Sequence, residues 1–218
     1  MIKAIIFDLD GTLLNTVLDI QNSLNYVLSL NGFTERSEDE VKQSLGYGSL
    51  SLIKDSLPEN SDQNIINKVY NEYVDYYTKN NNTLTKPYDD ILTLLKLLKA
   101  NNFLLAITSN KMQEAVTELN DSTFLNLVDV AIGERKNLKL KPDPEMLYLA
   151  LKELKLNNNE VLYVGDTEVD LLTAKNANLK SVAVTWGFRS KKELLKHNPD
   201  FIIESPLDLL DIIETINN

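Results

Sequence analysis

Short apolar runs, each closed by small or polar residues, recur along the chain. They lie at Lys3 to Phe7, Phe103 to Ile107, Val128 to Ile132, Val161 to Val164 and Ser181 to Val184, with Phe201 to Ile203 a candidate sixth. Runs this short, apolar without alternation, are what strands buried on both faces look like. Between the later runs the spacing becomes helical. Asp143 can cap a helix with Pro144 at its first position and Met146, Leu147, Ala150, Leu151 and Leu154 on one face. Val169 to Ala177 reads as another, stopped by Asn178, which tolerates the left-handed conformation of a helix end. This alternation predicts an α/β fold, a doubly wound parallel sheet.

One interval breaks the rhythm. From residue 9 to residue 103 no comparable strand occurs, far more chain than a crossover needs. Val17, Ile20, Leu24, Val27 and Leu28 repeat at helical spacing, and Ile65, Ile66, Val69, Tyr70, Tyr73, Tyr76 and Tyr77 give a second, tyrosine-rich face. Ile91 to Leu98 is apolar enough to pack back on the sheet. The pattern predicts an inserted helical cap over residues 15–84, with residues 1–14 and 85–218 forming the core and Lys86-Pro87-Tyr88 marking the return.

Composition narrows the chemistry. The 218 residues are 43% hydrophobic, enough for a sizeable core, and 25% charged. A net charge of −10 and the lack of a basic cluster argue against nucleic acid or an anionic membrane as partner. There is no Cys, which excludes disulfides, thiolate chemistry and Cys-based zinc sites and suits a cytoplasmic location. The one His, His197, lies in a polar stretch and reads as a solvated surface residue. The apolar start is too short for a signal peptide, and no window approaches a membrane span.

Asp8 and Asp10 follow the first strand, and Gly11 permits a tight turn beside a ligand. Two carboxylates so placed can divide their labour, one attacking or binding metal while the other moves a proton. A calcium loop would also set Asp8, Asp10 and Asp19 at ligand positions, but its obligatory Gly is Leu13 here and the preceding segment is strand-like. Thr108-Ser109-Asn110 ends the second strand and Gly165-Asp166-Thr167-Glu168-Val169-Asp170 the fourth. Ligands of open α/β sheets bind outside the carboxyl ends of the strands, so three polar clusters there converge on one crevice. Singly, Ser109 reads equally as a helix cap, and Asp166 with Asp170 as a cap and a solvated residue. Lys141, held extended by Pro142, adds the fixed cation that a carboxylate-rich phosphate site needs.

In this order Asp8-Leu9-Asp10-Gly11-Thr12-Leu13, Ser109, Lys141-Pro142 and Gly165-Asp166 with Asp170 resemble the four motifs of the haloacid dehalogenase superfamily, over nearly the whole chain. The resemblance implies that Asp8 is the nucleophile and that Asp10 protonates the leaving group and then activates water. It implies Mg²⁺ held by Asp8, the Asp10 backbone carbonyl and Asp166, with phosphate bound by Ser109, Asn110, Lys141 and Gly11 and supported by Thr12 and Asp170. An acid at Asp10 separates phosphotransferases from the dehalogenases of the superfamily. Leu45-Gly46-Tyr47-Gly48-Ser49, Asn31-Gly32-Phe33, Ser109-Asn110-Lys111 and Thr185-Trp186-Gly187-Phe188 resemble phosphoglycolate phosphatases, although a plain helix–helix turn explains Gly46, Tyr47 and Gly48 as well. Asn15-Thr16 and Asn178 depart from that subfamily's usual Asp-Ser and Gly. The implied substrate is a small phosphorylated metabolite, phosphoglycolate first. Pyrophosphate or another small monoester, a β-phosphoglucomutase-like isomerisation, and a non-catalytic phosphometabolite-binding protein are the alternatives. A monomer and a homodimer are equally compatible with the sequence.

Overall fold

The computed structural model describes residues 1–125 and 127–218. Its strands are β1 (Ala4–Phe7), β2 (Leu14–Asn15), β3 (Lys86–Pro87), β4 (Leu104–Met112), β5 (Val130–Glu134), β6 (Val161–Gly165), β7 (Lys180–Val184) and β8 (Phe201–Ile203). Six of them form one parallel sheet in the order β5-β4-β1-β6-β7-β8. The order reverses at β1, which places a crevice at the carboxyl ends of β1, β4 and β6. Alternation along β1 explains the two layers. Ile5 and Phe7 pack with α5 (Ile91–Ala100) and α10 (Asp208–Asn217), whereas Ala4 and Ile6 pack with α7 (Glu145–Leu154) and α8 (Glu168–Ala177). The candidate sixth strand is real, at the sheet edge.

Four helices fill the long interval: α1 (Val17–Leu30), α2 (Glu38–Ser44), α3 (Ser49–Ser56) and α4 (Gln63–Asn80). They share an apolar cluster of their own, with Val17, Ile20 and Leu24 facing Val69, Tyr73 and Tyr77. The interval is not strandless. The antiparallel pair of β2 and β3 joins Leu14 to Pro87 and Asn15 to Lys86 where the chain leaves and rejoins the sheet. Two-residue strands leave no periodicity to read. The same junction is tied by Asp19, whose buried carboxylate accepts hydrogen bonds from the Thr83, Leu84 and Thr85 N–H groups and from the Thr85 hydroxyl.

Several boundaries shift by a residue or two, β5 among them at Val130–Glu134, and two differences bear on the site. β4 continues past Ile107 to Met112, because pairing with β5 resumes at Met112–Glu134 after a register shift, so Ser109, Asn110 and Lys111 lie within the strand. Helix α7 begins at Glu145, with Pro144 in the cap position, and the Asp143 carboxylate accepts the Glu145 N–H at 3.1 Å. Asn178 ends α8 in the left-handed conformation (φ 58°), as its residue type suggested.

Candidate active site

The first strand delivers Asp8 directly to the crevice, where its N–H extends the ladder by donating to the Val164 carbonyl at 2.9 Å. Leu9 and Leu13 are completely buried beneath the following turn, and both Leu13 and Leu14 donate their N–H to the Leu9 carbonyl at 3.0 Å. Burying Leu9 leaves the two flanking carboxylates on the open side. Gly11 holds φ at 88° and donates its N–H to the Leu14 carbonyl, so that donor closes the turn. A Cβ at Gly11 would collide with the Asp166 carboxylate. Thr12 donates its hydroxyl to Asp166 at 2.9 Å, and the Phe188 N–H reaches the other Asp166 oxygen at 2.7 Å.

Lys141 sits at the centre of the buried polar network. Its ammonium donates to Asp8 at 2.6 Å, Asp170 at 2.7 Å, the Tyr163 hydroxyl at 3.0 Å and the Thr108 carbonyl at 3.3 Å. Burial works against its charge, but Asp170 and Asp8 outweigh that and hold its pKa well above the usual lysine range. Burial pushes the Asp8 carboxyl up to about 7 against the pull of Lys141, and the charges of Asp170 and Asp10 add to the rise. Asp166 is likewise raised, by burial and then by Asp170 and Asp8. Asp170 goes the other way: burial is overcome by Lys141 and by hydrogen bonds from Thr167, leaving it below the ordinary carboxylate value.

Asp8, Asp166 and Asp170 each present an oxygen within 4.8 Å of the others, and all three are buried. One ammonium does not neutralise three such carboxylates, which is why burial and mutual repulsion drive two of them toward the neutral form. A hard divalent cation fits this all-oxygen donor set.

The second carboxylate of the turn has its own cation. Lys111 donates to both Asp10 oxygens, at 2.8 and 3.0 Å, and its ammonium lies 4.8 Å from the centre of the Tyr77 ring on α4. Between the two lysines, Ser109 is buried and accepts the Lys111 N–H at 3.2 Å. Asn110 donates its amide to the carbonyls of Lys141 and Gly46 and accepts the Lys141 N–H at 2.8 Å. Its side chain therefore positions Lys141 and fastens the loop between α2 and α3 to the sheet.

That loop and the helices beyond it roof the cavity. Gly46 and Gly48 line it together with Ile20, Leu52, Tyr73 and Tyr77, whereas the Tyr47 side chain does not line it and is 42% exposed. Gly46 holds φ at 118° with α8 close beneath, where a Cβ would stand 3.1 Å from Val169. From the core side Arg189 donates to the Lys42, Gln43 and Leu45 carbonyls at the end of α2, and Glu168 holds its guanidinium through two bonds at 2.8 and 3.1 Å.

The structure thus brings Asp8, Asp10, Ser109, Asn110, Lys141, Asp166 and Asp170 to one crevice. Sequence reading passed over Lys111, Tyr163, Tyr77, Arg189 and Glu168 as site residues. For Lys111 a signal existed: in a strand, residues two apart share a face, so Lys111 follows Ser109 toward the same cavity. Among the described residues no helix is long and apolar enough to cross a membrane.

The sequence profile of the haloacid dehalogenase-like hydrolases matches residues 5–184. The chain is 32% identical to a phosphoglycolate phosphatase from Aquifex aeolicus, with 97% of each chain covered. It is 31% identical to a provisionally named pyrophosphatase from Clostridium perfringens, over the full length of both. A solved structure from Lactobacillus delbrueckii subsp. bulgaricus, provisionally named as a phosphoglycolate phosphatase, superposes with a TM-score of 0.92 at 32% identity, covering 97% of this chain and 98% of its own.

Proposed function

The chain belongs to the haloacid dehalogenase-like hydrolases, in their phosphoglycolate phosphatase-like subfamily, and we propose that it hydrolyses a small phosphomonoester, phosphoglycolate first, through a phospho-aspartate at Asp8. The observation that carries this reading is the Asp8 carboxylate at the strand end. Lys141 engages one of its oxygens, and the other accepts no hydrogen bond among the described residues.

In the first half-reaction that free Asp8 oxygen forms a bond to phosphorus as the ester bond breaks, and Asp10 gives its proton to the departing oxygen. In the second, Asp10 takes a proton from water while that water attacks phosphorus. The Asp8–phosphorus bond breaks, releasing inorganic phosphate and restoring the carboxylate. Lys141 and Ser109 hold the oxygens of the transferring group. Lys141 also separates Asp8 from Asp170, so the attacking carboxylate approaches a phosphate across less negative charge. Mg²⁺, held by Asp8, Asp166 and the Asp10 carbonyl with Asp170 behind them, would supply the remaining charge neutralisation for the phosphoryl oxygens. Gly11 shapes the turn, and Thr12 orients Asp166. Residues 15–84 act as a cap over a core of residues 1–14 and 85–218, hinged at β2 and β3.

Turnover of p-nitrophenyl phosphate with magnesium, lost in EDTA and in Asp8→Asn while the fold persists, is the expected result. Magnesium-independent turnover, or near-normal turnover by Asp8→Asn, would sink the mechanism. Comparing kcat/KM over phosphoglycolate, pyrophosphate, sugar phosphates and nucleoside monophosphates then ranks the substrates. Pyrophosphate is the second reading, because a relative of the same length carries a pyrophosphatase name.

A further inference from the structure

The cavity contains a buried donor that the reaction above does not use. Lys111 is 6% exposed, and its ammonium carries three N–H groups, of which the two Asp10 oxygens take at most two. No other acceptor reaches it among the described residues. The Tyr77 ring, 1% exposed, lies with its centre 4.8 Å from that ammonium and offers it no oxygen acceptor. Leaving a buried polar group unpaired is costly, so native structures supply a partner. Both residues line the same cavity, whose roof also includes Ile20, Ser49, Leu52 and Tyr73.

Position says which part of a ligand meets them. Lys141 contacts Asp8, on the side of the transferring phosphoryl group. Lys111 contacts Asp10, the group that faces the leaving oxygen in the mechanism above. From this division we infer that Lys111, with the Tyr77 ring packed against its ammonium, binds a second anionic group, carried on the leaving group within a few atoms of the ester oxygen. A carboxylate one carbon away and a second phosphate both fit. An alcohol with no anionic group leaves the remaining Lys111 donor unanswered and is a poorer substrate. The inference rests on the phosphatase reading and specifies what that site selects. It also moves specificity from Tyr47 to Lys111, a residue of β4.

The test compares 2-phosphoglycolate with ethyl phosphate, which has the same two-carbon ester and lacks the carboxylate. The wild type should prefer phosphoglycolate by kcat/KM. Lys111→Met should reduce that preference roughly 10- to 100-fold, the worth of a buried hydrogen bond to a charged group. Tyr77→Phe, which deletes only the oxygen and keeps the ring against the ammonium, should leave it unchanged. The ratio is taken within one preparation, so partial unfolding cancels. As a readout free of chemistry, inhibition of p-nitrophenyl phosphate hydrolysis by phosphonoacetate should weaken in Lys111→Met far more than inhibition by ethylphosphonate. Equal losses on both esters, with unchanged inhibitor selectivity, would overturn the inference and leave Lys111 as a support for Asp10. A wild type that hydrolyses both esters equally well would overturn it too. A wild type that hydrolyses neither ester nor p-nitrophenyl phosphate removes the phosphatase reading itself.

Discussion

Replacing Lys141 with Met tests the electrostatic account of the site in its metal-free form. Methionine keeps most of the apolar stem and deletes the ammonium that four acceptors share. Removing one partner of a buried ion pair typically costs about 3–5 kcal/mol, because the other charge is left uncompensated. For a chain of this length each kcal/mol shifts the melting temperature by about 2–4 °C, so a fall of about 10 °C is expected at neutral pH. The pH dependence is the sharper part. In the wild type the Asp8 carboxyl is already raised to about 7, mainly by burial. A carboxyl raised in the folded state binds its proton more tightly there than in the unfolded chain. Its effect is therefore to lower stability as pH climbs from the unfolded value of 3.8 toward 7.

Asp170 is lowered in the wild type, so it contributes stability above its unfolded value, lost only in acid. Without Lys141 the pull on both carboxyls disappears while their burial remains, and Asp170 joins Asp8 on the raised side. The stability gap between wild type and Lys141→Met should therefore widen from pH 5.5 to pH 8. Thermal melts in EDTA at pH 5.5, 7 and 8 read this directly. An unchanged melting temperature at pH 8, or a gap that narrows as pH rises, would refute the assignment of Lys141 as the charge that holds these carboxylates together.

Magnesium should raise the wild-type melting temperature more at pH 8 than at pH 5.5, since binding to raised Asp8 and Asp166 must first displace their protons; the reverse order in a titration with MgCl₂ would argue against that donor set. Gly11→Ala forces a side chain into φ 88° and against Asp166, for a loss of roughly 2–4 kcal/mol by urea unfolding, and a near-neutral result would deny the close approach. Arg189→Ala removes the donors to three carbonyls at the end of α2, so hydrogen exchange at residues 42–48 should quicken and KM should rise while the sheet stays protected; uniform exchange would mean Arg189 does not fasten the cap. Asp19→Asn halves the acceptor capacity at the junction, and a loss of about 1–3 kcal/mol is expected in the same unfolding assay, with no change there removing Asp19 from the hinge.

How far the sequence could be read depended on the range of each interaction. The strands were legible because burial on both faces leaves a local apolar run, and the helix stop at Asn178 because left-handed backbone favours that residue. The motif residues were legible because their types sit at strand ends, where an open sheet gathers ligands. The pairings among them were not. Lys111 and Asp10 are 101 residues apart, Arg189 and Lys42 are 147 apart, and nothing in either neighbourhood names the other.

The cap shows the limit most plainly. Gly46-Tyr47-Gly48 stands out in sequence because glycines punctuate it, yet its tyrosine is exposed, while Tyr73 and Tyr77 reach the cavity from an ordinary helix. Which of the tyrosines of α4 face inward is fixed by how α4 packs on α1, a contact between segments more than 30 residues apart in the chain. In the proposed mechanism reaction chemistry falls to residues at strand ends, which local pattern reveals. In the same proposal, substrate selection falls to the side chains that this packing sets over the cavity, and no local pattern announces them.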